Sequence, residues 1–137
     1  MNSRLPYAIV KNVGESYCKT YLKEKKLNYT IFRFFNTYGK RQTSDFVLSK
    51  FINLAKKNND ITIYGKGFQS RTFCYIDDNI EAVIKSFEGN KFVNDIVNIG
   101  NDKVITILKL AKIIKKITKS KSNIINVQPL EEGDMKR

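Results

Sequence analysis

The amino-acid sequence predicts an α/β architecture, on three observations. Segments with apolar residues at helical spacing alternate with short β-branched and aromatic runs. One of those runs, "NYTIFRFFN", is apolar almost without interruption, as a parallel strand buried on both faces is. No internal repeat or low-complexity linker breaks the alternation.

The elements follow in order. Pro6 suits a first helical turn, and "AIVKNVGESYCKTYLKEKK" predicts a helix from Pro6 to about Lys26, with Gly14 as its weak point. The apolar run comes next, then the loop "TYGKRQTSD". Val47, Phe51, Leu54 and Ala55 form a helical stripe. "ITIYG" predicts a short strand, "GKGFQS" a turn, and "RTFCYI" a second strand. Ile80, Val83, Ile84 and Phe87 repeat at i, i+3, i+4, i+7, the pattern of an amphipathic helix. "DIVNIG" predicts a strand, and Ile107, Leu110, Ala111, Ile114 and Ile117 a further helix with lysines on its wet side. "NIINVQ" closes as a strand before "PLEEGDMKR".

Composition bounds the partners. A chain of 137 residues with 42% hydrophobic and 28% charged residues can bury a modest core and is not disordered. No apolar run reaches the length of a membrane span, and "NSRLPY" after Met1 does not resemble a secretion signal. Cys18 and Cys74 lack metal-ligand spacing, and histidine is absent, so no metal is expected and the expected compartment is the reducing cytoplasm. The net charge of +12 fits a polyanion or membrane binder, or else lysines spread over solvated helix faces. The lysines are scattered and not interleaved with aromatics, which favours the second reading, with no nucleic-acid or membrane partner. A small anion such as a diphosphate fits both.

Three constellations could carry chemistry. Tyr7 and Lys11, at i and i+4, share a helix face. They are either a solvated pair or a proton donor tuned by a neighbouring ammonium, which favours a phenolate. In "RFFNTYG", Asn36 ends the apolar strand at the end where open α/β sheets bind ligands; the plainer alternative is a loop start, with Gly39 supplying a turn. In "YGKGFQSRTFCYIDD", Arg71 follows a two-glycine loop and is suited to phosphate oxygens, or is a surface residue on a hairpin-like turn. Asp77 and Asp78 read as structural residues at a helix start.

In their order and spacing, "PYAIVK", "FRFFNTYGKRQ", "IYGKGFQSRTFCYIDD", "VNIGN" and "PLEEGDMKR" resemble the extended short-chain dehydrogenase/reductase family. The closest likeness is to its NAD-dependent nucleotide-sugar epimerases, dehydratases and decarboxylases. The resemblance implies the C-terminal part of a Rossmann-like fold, with its last parallel strand and helices plus the smaller substrate-binding domain. Residues 1–43 then end the NAD-binding domain, and residues 44–137 form the nucleotide-sugar-binding portion, truncated at its end. By the same resemblance, Tyr7 is the catalytic acid/base in oxidation at C4 of the sugar, and Lys11 holds the nicotinamide ribose. Asn36 contacts the nucleotide sugar near its diphosphate and Arg71 clamps the diphosphate oxygens; the nucleotide sugar is expected to be UDP-linked. "RTFCYIDD" and "VNIGN" lean towards UDP-glucuronate decarboxylase-like and UDP-sugar 4-epimerase-like members.

The departures shape a further expectation. The family's glycine-rich GxxGxxG fingerprint, its ribose-reading acid and its catalytic Ser/Thr are absent from these residues, and Lys40 stands where many relatives have Pro. The chain reads as an excerpt, expected to be inactive alone and to associate through an exposed sheet edge. The alternative is a stand-alone nucleotide-sugar-binding remnant without catalysis. Full-length relatives tend to be homodimers, with the Tyr7 helix contributing to the contact.

Overall fold

The computed structural model describes residues 5–128, Leu5 by its backbone alone, so the closing motif "PLEEGDMKR" lies outside the described residues. Twelve elements follow one another: α1 (Leu5–Glu24), β1 (Thr30–Phe34), β2 (Thr37–Tyr38), α2 (Val47–Lys56), β3 (Ile61–Tyr64), β4 (Ser70–Arg71), β5 (Cys74–Tyr75), α3 (Ile76–Glu88), β6 (Asp95–Ile99), β7 (Ile105–Thr106), α4 (Ile107–Thr118) and β8 (Ile124–Val127). They divide into two compact units, one formed by Met1–Phe34 with Ile80–Ile99, the other by Phe35–Asn79 with Gly100–Arg137.

In the first unit β1 and β6 run parallel, from Thr30 opposite Asp95 to Phe34 opposite Ile99. Asn94 anchors the start of this pair: its N–H donates to the Tyr29 carbonyl at 2.6 Å, and its Oδ1 accepts from the Tyr29 N–H. The β-branched and aromatic run thus forms the expected parallel strand, but not a buried one. Among the described strands β6 is its only partner, and Phe34 is 50% exposed. The apolar stripe of α3 is helical as predicted yet also open, with Phe87 at 86% exposure; the side chains α3 buries are Asn79 and Ser86.

The second unit holds the core. Phe51 and Ala55 of α2 meet Ile107, Leu110, Ala111 and Ile114 of α4, and both helices cover Ile61 and Ile63 of β3. That burial follows from the i, i+3, i+4, i+7 spacing of α4, which puts its apolar residues on one face. Thr106 caps α4, its Oγ1 accepting from the Lys109 N–H at 3.1 Å, and Lys119 ends it in the left-handed region at φ 52°. β3 pairs in parallel with β8, β2 in parallel with β5, and β4 antiparallel with β7.

One expectation is corrected here. "RTFCYI" is not one strand: Arg71 ends β4, Cys74 begins β5, and each pairs with a different partner. "GKGFQS" forms the expected turn at Gly65 and Lys66, and the strands on either side of it, β3 and β4, are not neighbours in any sheet. The two-residue strand β2 lies in the stretch read as loop, and β7 in one assigned to no element.

Candidate functional site

The first candidate pair sits on α1, in the first unit. The Lys11 ammonium stands 5.4 Å from the centroid of the Tyr7 ring, a cation–π contact on an open helix surface, with Tyr7 70% exposed. Glu15 follows at i+8 on the same face, half-buried where almost all of α1 is exposed. Its carboxylate takes both arms of Arg33 from β1, Nε donating to Oε1 at 2.7 Å and Nη2 to Oε2 at 2.6 Å. That hydrogen bond, with the charges of Arg33 and Lys19 adding to it, holds the Glu15 carboxyl below its ordinary range against a smaller opposing effect of burial. The helix carrying Tyr7 and Lys11 is therefore fastened to β1 through the face that presents them.

The second pair lies in the second unit. Asn36 directly precedes β2 and is bound twice to the segment after Arg71. Its Nδ2 donates to the Thr72 carbonyl at 2.9 Å, and its own carbonyl accepts from the Cys74 N–H at 3.3 Å. Parallel pairing of Thr37 with Cys74 and Tyr38 with Tyr75 continues this alignment. Arg71 faces Ile105 across the β4–β7 ladder, is half-buried, and donates from Nη1 to the Ser70 carbonyl at 2.7 Å. The structure thus brings Asn36 to the peptide next to Arg71, although they stand far apart in sequence.

Residues that the sequence reading passed over hold this loop. Asn79, 2% exposed, donates from Nδ2 to Thr37 Oγ1 at 2.7 Å. Gln42 donates to the Thr37 carbonyl at 2.8 Å and accepts from Ser49 Oγ at 2.9 Å. Gly39 sits so close to α3 that a Cβ there would lie 2.7 Å from Ile76 Cγ2. A signal for Asn79 exists in "YIDDNI", a third polar residue where a helix is already furnished with two acids at its start.

These residues suit one end of a dinucleotide. An exposed phenol and ammonium one turn apart can meet a ribose and a nicotinamide ring. The glycine loop between β3 and β4 does not suit a pyrophosphate, because the α carbon of Gly67 is packed against Ile63 and Leu108, where a Cβ would come within 3.0 and 3.1 Å. Among the described residues no group of three or more His, Cys, Asp or Glu could hold a metal ion, and no helix is long and apolar enough to cross a membrane.

Comparison with known proteins adds to this geometry. The profile of the NAD dependent epimerase/dehydratase family matches residues 1–100. UDP-N-acetyl-alpha-D-glucosaminuronate decarboxylase of Bacillus cytotoxicus is 36% identical over 132 residues, covering 94% of this chain and 40% of the relative. UDP-glucuronic acid decarboxylase 1 of Danio rerio is 32% identical over 129 residues, covering 93% of this chain and 30% of the relative. The crystal structure of UDP-glucose 4-epimerase from Thermotoga maritima with UDP-glucose superimposes with a TM-score of 0.86 at 30% identity, over 93% of this chain and 42% of that one. UDP-glucuronic acid 4-epimerase from Bacillus cereus in complex with NAD gives 0.82 at 30% identity, over 90% and 41%. The chain spans less than half the length of the curated relatives it matches.

Proposed function

The chain belongs to the NAD dependent epimerase/dehydratase family, and from that premise we propose that it carries the acid/base helix and the nucleotide-sugar-binding portion of an NAD-dependent epimerase, dehydratase or decarboxylase. In this reading residues 1–43 close the cofactor-binding domain and residues 44–137 bind the nucleotide sugar, UDP-linked as in the relatives' names. When bound, NAD supplies the hydride acceptor. Tyr7 takes the proton from the 4-hydroxyl of the sugar, and Lys11 holds the nicotinamide ribose beside it. Arg71 clamps the diphosphate and Asn36 contacts the nucleotide sugar beside it, so that binding energy from the distant nucleotide orients the sugar. The observation that supports the substrate half is the bond from Asn36 to the Thr72 carbonyl, which brings Asn36 to the backbone next to Arg71. We place the protein in the cytoplasm, with a homodimer formed in part by α1 in the full-length form.

A second reading shares the binding half: nucleotide-sugar binding by these residues without catalysis. Calorimetric titration of the purified chain with UDP tests the shared part. Binding should be lost in Arg71→Ala and weakened at least about tenfold in Asn36→Ala, as for a charge-assisted and a neutral contact. Unchanged binding in Arg71→Ala would overturn both readings. To separate them, the chain is co-expressed with an amino-terminal segment carrying a glycine-rich loop and supplied with NAD and a UDP-sugar. Turnover that disappears in Tyr7→Phe supports the enzyme; binding without turnover supports the second reading.

A further inference from the structure

A buried amide stands directly behind the Asn36 loop. Asn79, near the start of α3, is 2% exposed, and its Nδ2 donates to Thr37 Oγ1 at 2.7 Å. Its Oδ1 is also buried and has no hydrogen-bond partner among the described residues. Polar side chains at a helix start ordinarily bind the backbone of their own helix. Asn79 reaches instead to a residue 42 positions earlier in the chain. Ser86, the other polar side chain that α3 buries, shows the ordinary solution: its hydroxyl donates to the Ala82 carbonyl one turn back, at 2.8 Å.

Half-satisfied burial is a poor way to hold a helix. A buried carbonyl without a donor forfeits its hydration, and the single bond made by the other end of the amide does little more than offset that loss. A leucine of similar volume would carry neither effect. Departures of this kind from a locally stable choice mark positions kept for function. What the Asn79 bond holds is Thr37. The Thr37 carbonyl takes Gln42 Nε2 at 2.8 Å, Thr37 pairs with Cys74, and the preceding carbonyl, that of Asn36, takes the Cys74 N–H. Asn79 adds a tie from α3 to the same short segment that carries Asn36.

We propose that Asn79 is a positioning residue for nucleotide-sugar binding: through Thr37 it sets the Asn36 amide against the Thr72 carbonyl, beside Arg71, although a buried apolar residue would make the fold more stable. The inference rests on the reading of Asn36 and Arg71 as contacts to the nucleotide sugar. It needs nothing from Tyr7 and Lys11, because Asn36, Thr37, Thr72, Cys74 and Asn79 all belong to the second unit. It also has a signature that an ordinary structural hydrogen bond lacks. Removing the amide weakens ligand binding while the melting temperature holds or rises.

Calorimetric titration of the 137-residue chain with UDP, paired with thermal melting followed by circular dichroism, tests it. Asn79→Leu should weaken UDP binding about fivefold, the size of one neutral hydrogen bond, with a melting temperature no lower than that of the wild type. Thr37→Val removes the other end of the bond and should weaken binding to a similar degree. Its melting temperature should fall, because the Asn79 amide is then buried with both ends unpaired. Thr37→Ser keeps the acceptor and should bind as the wild type does. The double variant Asn79→Leu/Thr37→Val should bind no more weakly than either single one. Normal binding by Asn79→Leu, with binding lost in Arg71→Ala, overturns the inference and leaves the nucleotide-sugar reading standing. A lowered melting temperature or lost helix signal in Asn79→Leu overturns it too, giving Asn79 an ordinary structural role. So do additive losses in the double variant, or a Thr37→Ser chain as weak as Thr37→Val. A wild-type chain that does not bind UDP, or unchanged binding in Arg71→Ala, removes the nucleotide-sugar reading and this inference with it.

Discussion

Glu15 of α1 and Arg33 of β1 form a forked ion pair, with two near-parallel hydrogen bonds of 2.7 and 2.6 Å. Guanidinium and carboxylate match in this geometry, so the pair fixes direction as well as distance. It is the fastening between the helix that presents Tyr7 and Lys11 and the strand that leads to Asn36.

This pair makes stability depend on pH in one direction. The Glu15 carboxyl is held below its ordinary value by the Arg33 hydrogen bond. A depressed carboxylate contributes stability that is fully present above its unfolded value, about 4.3, and is lost as pH falls through the lower folded value. Arg33, whose own value is raised by Glu15, stays charged throughout. The wild-type melting temperature should therefore fall more steeply below about pH 4.3 than that of Glu15→Gln. Parallel melting curves for the two proteins across that window would contradict the assignment.

The two cysteines should react at very different rates. Cys18 is exposed on α1, whereas Cys74 is buried, and burial pushes its thiol up, with the Asp78 carboxylate adding to the effect. A disulfide reagent at pH 8 should label Cys18 at once and Cys74 only when the second unit opens. Stoichiometry in the folded and urea-unfolded chain checks this: one thiol, then both.

Gly67 occupies a left-handed turn at φ +72°, and a Cβ would press on Ile63 Cγ2 at 3.0 Å and Leu108 Cβ at 3.1 Å. Gly67→Ala therefore meets both a backbone and a packing penalty and should cost about 1–3 kcal/mol in urea unfolding. A neutral effect would mean that the turn relaxes without disturbing α4.

Ile114, 6% exposed, joins α4 to Phe51 and Ala55 of α2 in the core. Ile114→Ala should cost about 2–5 kcal/mol, from lost burial and the cavity left behind. Ile117 is on the same helix but 74% exposed. Ile117→Ala should cost no more than about 0.5 kcal/mol, the range of surface substitutions. Equal losses at the two positions would show that the core boundary is drawn wrongly.

Much of this architecture was legible in the residues alone. The sequence by itself determined α2, α4 and the longer strands, because apolar periodicity and β-branched runs act within a few residues of one another. It also determined which chemistry-bearing side chains to examine, Tyr7, Lys11, Asn36 and Arg71. The tertiary structure decided what those segments meet. Thr37 pairs with Cys74 and Ser70 with Thr106 across long loops, so β2 and β7 have no local signature and "RTFCYI" divides between two partners. The bond from Asn36 to Thr72, the buried Asn79 behind it and the Glu15–Arg33 fork likewise depend on contacts between distant residues. Periodicity announces which face of an element is apolar. Only the packed chain settles whether anything covers that face: among the described residues β1 pairs with β6 alone, Phe34 is left 50% exposed, and the stripe of α3 stays open at Phe87.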